Sequence, residues 1–83
     1  HLTRLVHLDL SMNKIEDLGL RAILGLYDLE TLDVHDCYIS KHEIRSLFHF
    51  KRLKSLNIHA NLFGRQENKQ ISQLRNSGVA IRV

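Results

Sequence analysis

Apolar residues return at a fixed interval of 24 positions along the 83-residue chain. Leu5, Leu8, Leu10 and Ile15 are followed by Leu29, Leu32, Val34 and Ile39, and then by Leu53, Leu56, Ile58 and Phe63. The stretches between keep the same register, with Ile23, Leu47 and Ile71 in one row and Leu2, Leu26, Phe50 and Leu74 in another. Each copy combines two periods. Leu8-x-Leu10, Leu32-x-Val34 and Leu56-x-Ile58 alternate with period two, which predicts a short strand with one buried face. The residues after each strand follow helical spacing: Leu20, Ile23 and Leu24 in the first unit, Ile44, Leu47 and Phe48 in the second, Ile71 and Leu74 in the third. A fourth strand, Ile81-Arg82-Val83, fits the series if one extra residue is accommodated near Ser77-Gly78.

The second helix carries the clearest start signal. Ser40-Lys41-His42-Glu43 has the spacing of a capping box, with Ile39 and Ile44 placed as a hydrophobic staple. The third helix is far more polar, because Ile71 and Leu74 stand among Arg65, Gln66, Glu67, Asn68, Lys69, Gln70, Ser72 and Gln73. A solenoid needs a polar outer face where it stops, so this helix and the strand at 79–83 are expected to form a C-terminal end. Leu2 sits at the last apolar position of a helix, which leads us to expect further repeats before His1.

Asn13, Cys37 and Asn61 occupy one position in the three units. They are expected to point inward at the turn after each strand and to bond backbone groups of neighbouring coils. Cys37 donates only weakly, so the second unit is expected to be the softest of the three.

The three units follow the pattern L-x-x-L-x-L-x-x-N/C-x-L, and on those residues the chain resembles the leucine-rich repeat family over essentially its whole length. The first unit, with Gly19, Ala22 and Ile23 after Asn13, is similar to helix-bearing repeats of bacterial and ribonuclease-inhibitor-like proteins. The second and third units lack that Gly and Ala. The resemblance implies an α/β solenoid of about three and a half repeats, in one segment spanning 1–83 with units starting near 5, 29 and 53. A short parallel sheet would line the concave face and helices the convex one. It also implies a non-catalytic scaffold that recognises an unidentified protein through the strand face.

Strand alternation places His7, Thr31, Ser55 and Ala80 in one row of that face and Asp9, Asp33, Asn57 and Arg82 in the next. Ser11, His35 and His59 form a third row, and Glu30 and Lys54 flank the strands close enough to pair. The expected partner-binding residues are Asp9, Ser11, Glu30, Asp33, His35, Lys54, Asn57, His59 and Arg82. His35 and His59 with Asp33 invite a zinc reading, but neighbouring parallel strands do not converge their side chains, so no metal and no cofactor is expected. A pH-sensitive interface is the more plausible use of two adjacent imidazoles.

Charge adds one alternative. Residues 1–44 carry four basic and eight acidic side chains, whereas residues 45–83 carry eight basic ones against Glu67 alone. The basic half could attract nucleic acid or another polyanion, although the strand face lacks aromatics for stacking bases. No phosphate loop, nucleophile elbow or nucleophile–base spacing is present, so no catalytic residue is expected. No apolar stretch is long enough for a transmembrane helix, and a single cysteine forms no internal disulfide. The lone Cys37 and the absence of cysteine caps lead us to expect a reducing, cytoplasmic setting.

Overall fold

The computed structural model describes residues 4–63 and 69–83. Three-residue strands alternate with helices: β1 (His7–Asp9), α1 (Glu16–Ala22), β2 (Thr31–Asp33), a 3₁₀ helix (Lys41–His49), β3 (Ser55–Asn57), α2 (Lys69–Asn76) and β4 (Ala80–Arg82). The strands form one parallel sheet in the order β1-β2-β3-β4. Its register follows the repeat: His7 pairs with Thr31, Thr31 with Ser55, and Ser55 with Ala80. The last step is one residue longer, and the turn before β4 takes up the addition where Gly78 adopts a φ of +105° that a side chain would resist.

The strands are short because the backbone turns sharply just beyond them. Met12, Asp36 and Ala60 recur at the 24-residue interval, all with left-handed φ between 54° and 59°. Leu32, Val34, Leu56 and Ile58 point from the strands into the core, where Leu20, Ile44, Leu47, Ile71 and Leu74 meet them from the helices. All nine are at most 4% exposed. At about 25 cal/mol per Å² of apolar surface removed from water, this shared core is the main stabilising term. The first coil is less well covered: Leu5, Leu8, Leu10 and Ile15 are only partly buried.

The second helix departs from the α-helical stripe in two ways. It is 3₁₀ throughout, and Phe48 is only half-buried while Phe50, just past its end, is 4% exposed. A 3₁₀ helix has three residues per turn, so Ile44, Leu47 and Phe50 eclipse one another on the core side. The expected capping box also does not close. Ser40 Oγ accepts from His42 N–H at 3.3 Å, but Glu43 does not return to the Ser40 N–H. Asp17 of the preceding coil does so instead, its Oδ1 accepting from Ser40 N–H at 2.7 Å and its Oδ2 from Ser40 Oγ at 2.6 Å. Glu43, 5% exposed, accepts from Arg21 Nε at 2.8 Å, from Arg21 Nη2 and from Ser46 Oγ at 2.7 Å. Arg21 first, then Ser46, hold its carboxyl below the ordinary glutamate value.

The inward polar position works as a ladder, with one rung complete. Asn61 Oδ1 accepts from the N–H groups of Cys37 and Ile39, both at 3.0 Å. Asn61 Nδ2 donates to the carbonyls of Val34 at 2.9 Å and Ile58 at 3.0 Å. Cys37 reproduces this only weakly: its Sγ donates to the Leu10 carbonyl at 3.2 Å, the counterpart of Val34, and toward the Met12 and Asn13 N–H groups of the first coil's turn a thiol sulfur is a poor acceptor. Asn13 is exposed and donates only within its own coil, to the Leu10 and Ser11 carbonyls. The Arg65–Asn68 part of the polar third helix and the helical position of Leu2 lie outside the described residues.

Candidate interaction surface

The sheet face turned away from the core carries the polar residues. Asp9, Asp33, Asn57 and Arg82 stand side by side in the strand register, as do His7, Thr31, Ser55 and Ala80. Glu30 and Lys54 pair across adjacent coils at 3.1 Å. His7 Nδ1 meets Thr31 Oγ1 at 2.7 Å. Two shallow grooves run between the rows. The one over β1 to β3, of about 420 Å³, is lined chiefly by His7, Asp9, Thr31, Asp33, Ser55 and Asn57. The one over β3 and β4, of about 380 Å³, includes Ser55, Ala80 and Arg82.

Three of the expected site residues close turns of the backbone, a role the sequence reading missed. Asp9 Oδ1 accepts from Ser11 N–H at 2.9 Å, Asp33 Oδ1 from His35 N–H at 3.0 Å, and Asn57 Oδ1 from His59 N–H at 3.1 Å. Each side chain thus folds over the backbone two residues on and fixes the turn that ends its strand. The signal was in the sequence: an Asp or Asn at the same repeat position, two residues ahead of a polar one, is an Asx-turn pattern. Bonds from the Ser11 hydroxyl and N–H hold the Asp9 carboxyl below its ordinary value.

The histidines are pinned separately. His35 Nδ1 contacts Asp33 Oδ1 at 2.7 Å, and His59 Nδ1 contacts the Val83 carbonyl oxygen at 3.0 Å. Two adjacent rings directed to different partners do not converge on one point. Among the described residues, no group of three or more His, Cys, Asp or Glu side chains could hold a metal ion. The surface is therefore a row of hydrogen-bonding and charged groups with restricted rotamers. Such a surface loses little side-chain entropy when a partner docks.

The helix side carries a separate depression of about 370 Å³, lined by Lys41, His42, Arg45 and Gln70. His42 and His49 are exposed on the 3₁₀ helix. Cys37 is fully buried, and that burial pushes its thiol pKa up, the opposite of what a reactive cysteine needs. No helix among the described residues is long and apolar enough to cross a membrane.

Comparison with known proteins agrees with the coil geometry. A family profile described as Leucine rich repeat matches residues 3–63. No curated protein and no solved structure matches the chain. The match spans the three units whose strands pair in register and whose Asn61 and Cys37 side chains tie one turn to the next. This chain belongs to the leucine-rich repeat family, whose members generally serve protein–protein interaction and are typically non-catalytic.

Proposed function

We propose that the chain is a non-catalytic recognition module that binds a partner protein across the open face of its sheet, the concave side of a short solenoid. The observation that carries this reading is the restriction of side chains on that face. Asp9, Asp33 and Asn57 are fastened to their own turns, His35 is fastened to Asp33, and Glu30 is fastened to Lys54. The contact set is Asp9, Ser11, Glu30, Asp33, His35, Lys54, Asn57, His59 and Arg82, with Thr31 and Ser55 at its centre. Asp9 and Asp33 favour a basic group on the partner over their half of the face, and Arg82 favours an acidic one at the other end.

A second reading, binding of a polyanion through the basic half of the chain, draws on Arg45, which lines the helix-side depression beside Lys41. One experiment separates the two. Affinity capture from lysate uses the wild-type chain, Ser55→Arg on the sheet face and Arg45→Glu on the helix side, each over a salt series. Proteins lost with Ser55→Arg but retained with Arg45→Glu, and tolerant of salt, support the sheet-face reading. Ligands lost with Arg45→Glu and shed steeply by salt support the polyanion reading.

A further inference from the structure

The two shallow grooves on the sheet face meet. Both are lined by Ser55 and Asn57, so one trough crosses all four strands. Its charges are ordered. In a single row of the register, Asp9 and Asp33 stand at one end, Asn57 follows, and Arg82 stands at the other end. The neighbouring Glu30 and Lys54 satisfy each other at 3.1 Å. Arg82 is exposed, and among the described residues no carboxylate lies within ion-pair distance of it. The N–H and Nδ1 of His35 both meet Asp33 at Oδ1, at 3.0 Å and 2.7 Å. Among the described residues, none bonds Asp33 Oδ2. Asp33 thus closes its turn with one oxygen and keeps the other for a ligand.

We propose that the trough takes an extended segment of the partner protein in which an arginine and an acidic residue stand four positions apart, in either order. The proposal rests on the sheet face being the recognition surface and adds what that surface selects. Neighbouring strands lie about 4.8 Å apart, so a guanidinium lodged between Asp9 and Asp33 sits about 12 Å from the Arg82 position. An extended chain advances about 3.3 Å per residue and turns alternate side chains to the same side. Separations of three or five residues therefore point one of the two charges away from the trough. Separations of two and six keep both charges on the trough side but span about 7 and about 20 Å. A separation of four spans about 13 Å and delivers both. The residue midway then passes over Ser55 and Asn57, which suit a small hydrogen-bonding side chain. Arginine fits the acidic end better than lysine, because its planar fork donates to two carboxylates at once. The spacing is set by the four described strands and does not depend on what flanks them.

The test is fluorescence polarisation of the 83-residue chain with labelled, terminally blocked peptides of serine and threonine that carry one arginine and one glutamate two, three or four positions apart. The four-position peptide is expected to bind tightest. Asp9→Asn with Asp33→Asn removes the acidic charges and keeps the turn acceptors, since Asn57 already closes the equivalent turn. That pair of substitutions, and separately Arg82→Gln, should each weaken the four-position peptide roughly fivefold, the effect of losing one exposed ion pair. Circular dichroism of each variant verifies that its coils remain folded. Equal binding at all three spacings, indifference to either set of substitutions, or no binding up to about 1 mM overturns the proposal. Ser55→Arg, measured alongside with a captured partner protein, separates that failure from failure of the sheet-face reading. Partner binding lost with Ser55→Arg, without any peptide spacing preference, overturns the spacing rule and leaves the sheet face as the site. Partner binding retained with Ser55→Arg overturns both.

Discussion

Asn61→Ala removes the one side chain that ties two turns together from both directions. In the native chain its Oδ1 serves the N–H groups of Cys37 and Ile39, residues that are 0% and 2% exposed. Leaving a buried backbone donor without a partner costs about 1–3 kcal/mol, so the two together cost about 2–6 kcal/mol. Asn61 is itself half-buried, and water entering the vacated space brings the expected loss to about 2–4 kcal/mol. Asn13→Ala is the matched control. It occupies the same repeat position, but it is exposed and loses only donations to carbonyls of its own coil, worth at most about 1 kcal/mol. Cys37→Asn should act in the opposite direction. The new amide would keep the donation to Leu10 and replace the weak thiol acceptor beside the Asn13 N–H with a stronger one, while the Ile15 N–H already donates to the Asn13 carbonyl at 2.8 Å. A net gain of about 1 kcal/mol is expected. Urea titration reads all three, since a slope of about 1–3 kcal/mol per M turns the Asn61→Ala loss into a midpoint shift of about 0.7–4 M. Equal costs for Asn13→Ala and Asn61→Ala, or a destabilised Cys37→Asn, would refute the ladder argument.

Ala60 is exposed and held at a φ of 57°, so Ala60→Gly relieves a left-handed strain of about 1–2 kcal/mol at a smaller entropic cost. A net stabilisation of about 0.5–1 kcal/mol by thermal or urea unfolding is expected. Glu43 has a native pKa below its unfolded value, so its contribution is complete above the ordinary 4.5 and fades as pH falls through the native value. Glu43→Gln should therefore flatten stability against pH in the acid range, and an unchanged acid limb would count against the Arg21 pairing. Cys37 is buried with a raised pKa, so a thiol reagent should react at neutral pH only as fast as the chain opens. Rapid native labelling would contradict its place in the core. Leu56→Ala, at 1% exposure, should cost about 2–5 kcal/mol by calorimetry, more than the same change at the partly covered Leu8.

Much of the fold is written in the 24-residue period. The register of β1, β2 and β3 follows directly from it, and the one-residue excess before β4 was visible as the spacing from Ser55 to Ala80. The rows on the sheet face follow too, because period-two alternation decides which side chains turn away from the core. The 3₁₀ form of the second helix was hidden. Ile44 and Leu47 suit either helix, and Phe50, which the 24-residue register already marks as apolar, does not by itself tell three-residue from 3.6-residue spacing. Ser40 is the N-cap, as read from the sequence; only the Glu43 half of the box was misassigned, because a local motif and a distant carboxylate compete for one N–H. Asp17 lies 23 residues earlier, and only stacking of the coils brings it there. Glu43, freed from the cap, is claimed by Arg21 of the neighbouring coil. The turn-closing role of Asp9, Asp33 and Asn57 was legible as an Asx-turn pattern, an Asp or Asn at one repeat position two residues ahead of a polar one.

The most direct measurement for the sheet-face reading is calorimetric titration of a captured partner protein against three chains: wild type, Ser55→Arg and Arg45→Glu. Ser55 is exposed at the middle of the face, and its replacement disturbs none of the Asx turns. The account predicts that Ser55→Arg raises Kd by at least about tenfold, or 1.4 kcal/mol, while Arg45→Glu leaves it unchanged. Unchanged affinity for Ser55→Arg together with loss for Arg45→Glu would contradict it and move the binding surface to the helices.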